Sequence, residues 1–180
     1  KIKKNIANNS SQKFILGEDF KYQKSNSGFI YEDKSGKLNL PPPNLLGDFQ
    51  LATVSTAVAV VRNLDQFKIN ESHIKESIIK IRSEARLQNI TQGKLRKYVS
   101  ENNQIILDGA HNPLAFSVIK KYLETLNKGR KIFLVLAMMS TKQHKECIQI
   151  LKGKVHSIIA LDIPNQTNFI KKEELSKIAQ

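Results

Sequence analysis

An acidic, an imidazole and an amide side chain crowd into LDGAHNPLAF, residues 107–116, directly after an apolar run. Asp108 can accept hydrogen bonds from a sugar hydroxyl, and His111 can contact a base, ribose or phosphate edge. Gly109 permits a tight turn and a close backbone approach, Asn112 is a good helix N-cap, and Pro113 has a φ suited to the first helical position. In an open parallel sheet, ligands bind outside the carboxyl ends of the strands, where Asp108 stands after NQIIL. The same residues would also suit a plain turn and helix start, and by themselves leave both readings open.

The elements that must position this segment follow from periodicity. KFILGEDFKY and GFIYED read as short strands, with Asp33-Lys34-Ser35-Gly36 as the turn before KLNL. Pro41-Pro42-Pro43 stops the strand, and Asp48 is expected to cap a central helix through QLATVSTAVAVVRNL, apolar enough for burial on most sides. A second helix follows Asn70, with Ile74, Ile78 and Ile81 on one face and Lys75, Glu76 and Lys80 in water. From about residue 86 strands and helices alternate. NQIILDG (103–109), KIFLVLAMM (131–139) and VHSIIALDIP (155–164) are of strand length, with helices expected at 113–127, 142–152 and from KKEELSKIAQ. That order predicts an α/β fold with a Rossmann-like parallel sheet and right-handed crossovers. Val118, Ile119, Tyr122, Leu123 and Leu126 are the expected buried face of the first of these helices. Arg86 to Gly93 is the expected boundary, giving domains 1–85 and 86–180.

Composition narrows the function classes. At 180 residues, 40% apolar and 25% charged, the chain is an ordinary globular one. It has no apolar run of roughly 18 residues, and its start, KIKKNIANNSSQKF, lacks a signal-peptide core, so a cytoplasmic location without membrane is expected. The single Cys147 supports neither a disulfide framework nor a zinc site and reads as a small buried helix residue. The net charge of +13 invites polyanions, but the lysines spread over the whole chain and no aromatic RNA-binding motif occurs, which disfavours nucleic acid. Abundant Ile, Asn and Lys also fit the bias of an A+T-rich genome. His73, His144 and His156 lack partners at metal spacing and read as solvent-facing or structural, and Glu18, Asp19 and Asp33 as turn and surface charges.

LDGAHNP resembles the DxAHNP segment of the folylpolyglutamate synthases and the bifunctional dihydrofolate and folylpolyglutamate synthases, of the Mur ligase superfamily. LPPPNLLGDFQLATVSTAVAVV is similar to the family's Leu-x-Gly-x-His-Gln-x-x-Asn-Ala helix entry, EARLQNITQG to its Trp-Pro-x-Arg-Leu-x segment, and LAMMSTKQH to its Gly-Met-Leu-x-x-Lys-Asp strand end. The resemblance spans roughly residues 14 to 180 in consistent order. It implies an ATP-dependent ligase that adds L-glutamate to folate, or to dihydropteroate, through an acyl phosphate, with Mg²⁺ and cationic side chains neutralising the phosphates. Carried over by position, Asp108, His111 and Gln50 would contact the nucleotide, Arg86 would lie near the phosphates, and Lys142 near the substrate. Residues 1–85 would be the end of a Mur-ligase-type ATPase domain and 86–180 the C-terminal ligase domain.

Departures accompany the resemblance. Phe49 stands where the family has His, Thr53 where it has Asn, Ser83-Glu84 where it has Trp-Pro, Ala137 where it has Gly and Gln143 where it has Asp. Thr53 loses an amide that could meet adenine, and Gln143 supplies no negative charge. No GxxxxGK[ST] loop or Gly-Thr-x-Gly-Lys-Gly segment occurs in the 180 residues. Phosphate loop and metal ligands are therefore expected in an N-terminal part, and the chain is expected to act as a monomer of a longer enzyme or paired with a separate N-terminal polypeptide. The alternatives are an inactive nucleotide- or partner-binding fragment and a basic nucleic-acid-binding domain.

Overall fold

A computed structural model describes residues 13–126 and 129–180. The amino-terminal stretch on which the absence of a signal peptide rests lies almost wholly outside these residues. Two compact units are present, one ending at Leu107 and the other running Asp108–Gln180.

The first unit is built on an antiparallel meander of β1 (Phe20–Ser25), β2 (Gly28–Asp33) and β3 (Gly36–Leu40), with Phe20 opposite Asp33 and Phe29 opposite Leu40. Alternation sends Phe29, Tyr31, Leu38 and Leu40 to one face, where they meet Leu51, Val54, Val58 and Ala59 of α1 (Gln50–Val61) and Ile74 and Ile78 of α2 (Glu71–Lys80). Asn70 caps α2 by accepting the His73 N–H at 3.0 Å, as its sequence position predicts. On the outer face of α2, Lys75 pairs with Glu71 and Lys80 with Glu76.

Three expectations for the meander and its first helix need correction. Asp48 does not cap α1; its carboxylate binds Lys24 Nζ at 2.8 and 2.9 Å, and the helix starts after Phe49 on backbone turns from Gln50 N–H to Gly47 O and Leu51 N–H to Asp48 O. Nor is α1 buried on most sides, since Leu51, Val54, Ser55, Val58 and Ala59 share one buried face while Thr53, Thr56 and Val60 stay exposed among the described residues. Asp33 is no surface charge: its side chain is 7% exposed and paired with Arg62, which reaches back from the end of α1.

The chain then forms a short antiparallel pair, β4 (Gln88–Asn89) with β5 (Ile106–Leu107), joined through a 3₁₀ turn at Lys94–Tyr98. This corrects the strand expected at 103–109. The apolar run supplies strand propensity but does not choose a partner, and Gln88–Ile90 take its backbone groups instead of the parallel sheet.

In the second unit, β6 (Phe133–Leu136) pairs in parallel with β7 (Ser157–Ala160), Phe133 beside Ser157 and Leu136 beside Ala160. Helices α3 (Pro113–Thr125), α4 (His144–Leu151) and α5 (Lys172–Ala179) complete an α/β unit of the kind predicted, whose core joins Phe116, Leu136, Met138, Cys147, Ile148, Leu151, Ile170 and Leu175. The fully buried residue of α3 is Phe116; the five residues expected to form its buried face are only half-buried. No helix of the described residues is long and apolar enough to cross a membrane.

Candidate functional site

The turn into α3 is built by its own side chains. Asp108 Oδ1 accepts the Ala110 N–H at 2.8 Å, closing the bend over Gly109. His111 Nδ1 lies 2.9 Å from the Gly109 carbonyl. A proton on Nδ1 donates to that oxygen and leaves Nε2 as an outward acceptor. Asn112 Oδ1 accepts the Ala115 N–H at 2.9 Å, and Pro113 opens the helix, so cap and first helical position stand as the residue types predict. His111 is exposed and Asp108 half-buried. Both side chains thus hold the turn that leads into α3, whose first N–H groups and dipole favour an anion.

Lys142 belongs to the same unit, on the loop that leaves β6. Its N–H donates to Met139 O at 3.2 Å, and the next residues enter α4 with His144 Nε2 2.9 Å from the same carbonyl. His144 is therefore structural. Across this loop Ser140 is hydrogen-bonded to Asn168 by backbone and side chain, and Met139 bridges Phe169. His156 sits edge-on to Phe133, ring centroids 5.2 Å apart.

The other two residues singled out by sequence lie in the first unit. Gln50 opens α1 and is 4% exposed. Arg86 is exposed, with Nη1 donating to the Ala85 carbonyl at 3.1 Å. Two features here had no sequence signal. Ala85 and Leu87, on either side of Arg86, have φ of +50° and +46°, in the left-handed region that non-glycine residues avoid. Leu87 is also buried, and a Cβ on Gly47 would lie 3.3 Å from its Cδ1 and 2.4 Å from Phe49 Cε1. Gly47 has a φ of +97°, in the region that favours glycine, and the Phe49 ring and Leu87 crowd the space above it. The structure brings together Asp108 with His111, and Leu87, next to Arg86, with the Gly47 turn that precedes Gln50. A cavity of about 660 Å³ elsewhere in the first unit, lined by Phe29, Leu40, Pro41, Ser72 and Ile79, contains none of the predicted residues. Among the described residues no three His, Cys, Asp or Glu side chains converge as a metal site.

Known proteins place this architecture. Residues 89–169 match the family model for the dihydrofolate synthetase C-terminal domain. A bifunctional folylpolyglutamate synthase/dihydrofolate synthase with Mn, AMPPNP and L-glutamate bound superposes with a TM-score of 0.78 at 23% identity, over 98% of this chain and 39% of that one. The chain has the fold of part of a folylpolyglutamate synthase. Among other folylpolyglutamate synthase structures, E. coli FolC in complex with ADP matches at a TM-score of 0.83 and 22% identity, over 99% of this chain and 40% of that one. The bifunctional enzyme of Yersinia pestis CO92 matches at 0.76 and 24%, over 98% and 39%. The chain thus spans about two fifths of the length of these synthases. No curated protein sequence matches it.

Proposed function

We propose that the chain is part of a cytoplasmic ATP-dependent ligase that joins L-glutamate to folate or to dihydropteroate. The observation that carries this reading is the match of residues 89–169 to the dihydrofolate synthetase C-terminal domain, a span that contains the whole Asp108–Asn112 turn. The bound nucleotide analogue, Mn and L-glutamate of the similar bifunctional synthase support ATP, a divalent cation and glutamate as reactants. In such a reaction a substrate carboxylate oxygen attacks the γ-phosphorus and ADP leaves. The glutamate amine then attacks the acyl phosphate carbon, and inorganic phosphate departs. Residues 1–85 are the end of the ATP-binding domain and 86–180 the C-terminal ligase domain.

On this chain the catalytic contribution is binding and positioning. Asp108 and His111 hold the sugar or base side of the nucleotide, Gln50 adds an amide contact, Arg86 neutralises phosphate charge and Lys142 neutralises the substrate carboxylate. Mg²⁺, held by ligands of the longer or separate polypeptide, would supply phosphate neutralisation. The 180 residues contain no phosphate loop, so ligation needs that loop from a longer or separate polypeptide.

Titrating the purified chain with ADP while following backbone amide resonances tests the reading. The expected result is saturable shifts at Asp108–Asn112 and at Arg86, with no ligation product from the chain alone in ATP, Mg²⁺, folate and glutamate. Shifts confined to other residues would overturn the site assignment. ADP and folate diglutamate formed by the chain alone would overturn the need for a phosphate loop.

A further inference from the structure

We propose that Leu87 is a positioning residue that fixes Arg86 relative to the start of α1, an inference that rests on the reading of Arg86 and Gln50 as nucleotide contacts. Three observations converge. Arg86 is flanked by two non-glycine residues at positive φ, +50° at Ala85 and +46° at Leu87. Such strained backbone persists only where its surroundings over-determine it, and it gathers at functional sites. The surroundings here are identifiable. Leu87 is 2% exposed and reaches over Gly47, with Cδ1 3.3 Å from where a glycine Cβ would be, while Gly47 O accepts the Gln50 N–H at 3.0 Å. Gln88 Oε1 accepts the Ala85 N–H at 3.0 Å and closes the bend from the other side. Burial of one leucine therefore locks the backbone on both sides of an exposed arginine and ties it to the turn that carries Gln50. An exposed arginine in relaxed backbone would need neither the strain nor the anchor.

The test compares Leu87→Ala, Leu87→Met, Arg86→Ala and the Leu87→Ala/Arg86→Ala double variant in the full chain. The backbone order parameter of Arg86 reads the anchoring without nucleotide. It is expected to fall from a rigid value near 0.85 to below about 0.6 in Leu87→Ala and to stay rigid in Leu87→Met. ADP affinity is expected to fall about tenfold in Leu87→Ala, as displacement of a binding group does. That loss should vanish when Arg86 is already alanine, because Leu87 acts through it. An unchanged order parameter, or an equal loss of affinity in both backgrounds, overturns the proposal. If Arg86→Ala itself leaves ADP affinity unchanged, the phosphate role of Arg86 fails, and the order parameter alone decides whether Leu87 anchors the segment.

Discussion

Arg62 Nε donates to Asp33 Oδ2 at 2.8 Å and its Nη2 to Oδ1 at 3.1 Å, tying the end of α1 to the turn between β2 and β3. The Tyr31 hydroxyl donates to the same Oδ2 at 2.9 Å, and the Ser35 N–H to Oδ1 at 2.8 Å. Burial pushes the Asp33 carboxyl up, but the hydrogen bonds from Arg62, Tyr31 and Ser35 with the charge of Arg62 outweigh it and hold the group below its ordinary range. Burial, then the bond to Asp33 and its charge, push the Tyr31 phenol well above its own range.

Removing one side of this pair leaves a buried charge uncompensated. Asp33→Asn is expected to destabilise the chain by about 3 kcal/mol in urea unfolding. The sign with pH follows from the lowered carboxyl: its stabilisation is complete above the unfolded value near 4 and is lost as pH falls through the lower folded value. Wild-type stability should therefore drop below about pH 4, and Asp33→Asn should flatten that drop. A variant with wild-type stability at pH 7 would show that the pair contributes nothing.

One substitution separates the turn role of Asp108 from its proposed role at the nucleotide. Asparagine keeps an oxygen that can accept the Ala110 N–H but removes the charge. Asp108→Asn should keep the melting temperature within about 2 °C of wild type, the shift of a small stability change, while weakening ADP binding about tenfold. Calorimetric titration beside a thermal melt checks both. Unchanged ADP binding would leave Asp108 as a turn residue only.

Cys147 is fully buried on α4, and burial, followed by the charge of Glu146, pushes its thiol up. Little thiolate exists at neutral pH, so a disulfide reagent should react with it slowly in the native chain and fast once urea unfolds it. Equal rates in both conditions would place the thiol at the surface.

Sequence alone determined whatever depends on local chemistry. Asn112 and Asn70 cap helices because a short amide oxygen reaches an N–H three residues ahead in any fold. The meander's register follows from alternation around the turn at residues 33–36, and the α/β character of the second unit from apolar runs spaced by amphipathic helices. The LDGAHNP turn was legible for the same reason, since its bonds run between near neighbours. Tertiary structure decided everything that depends on a distant partner. Asp48 left its cap for Lys24, and Asp33 found Arg62 twenty-nine residues on. The run at 103–107 paired with Gln88–Ile90, because strand propensity does not say which edge is near. Leu87 entered the left-handed region because burial over Gly47 outweighs the local cost, and no pattern of residue types announces a strain imposed from forty residues away.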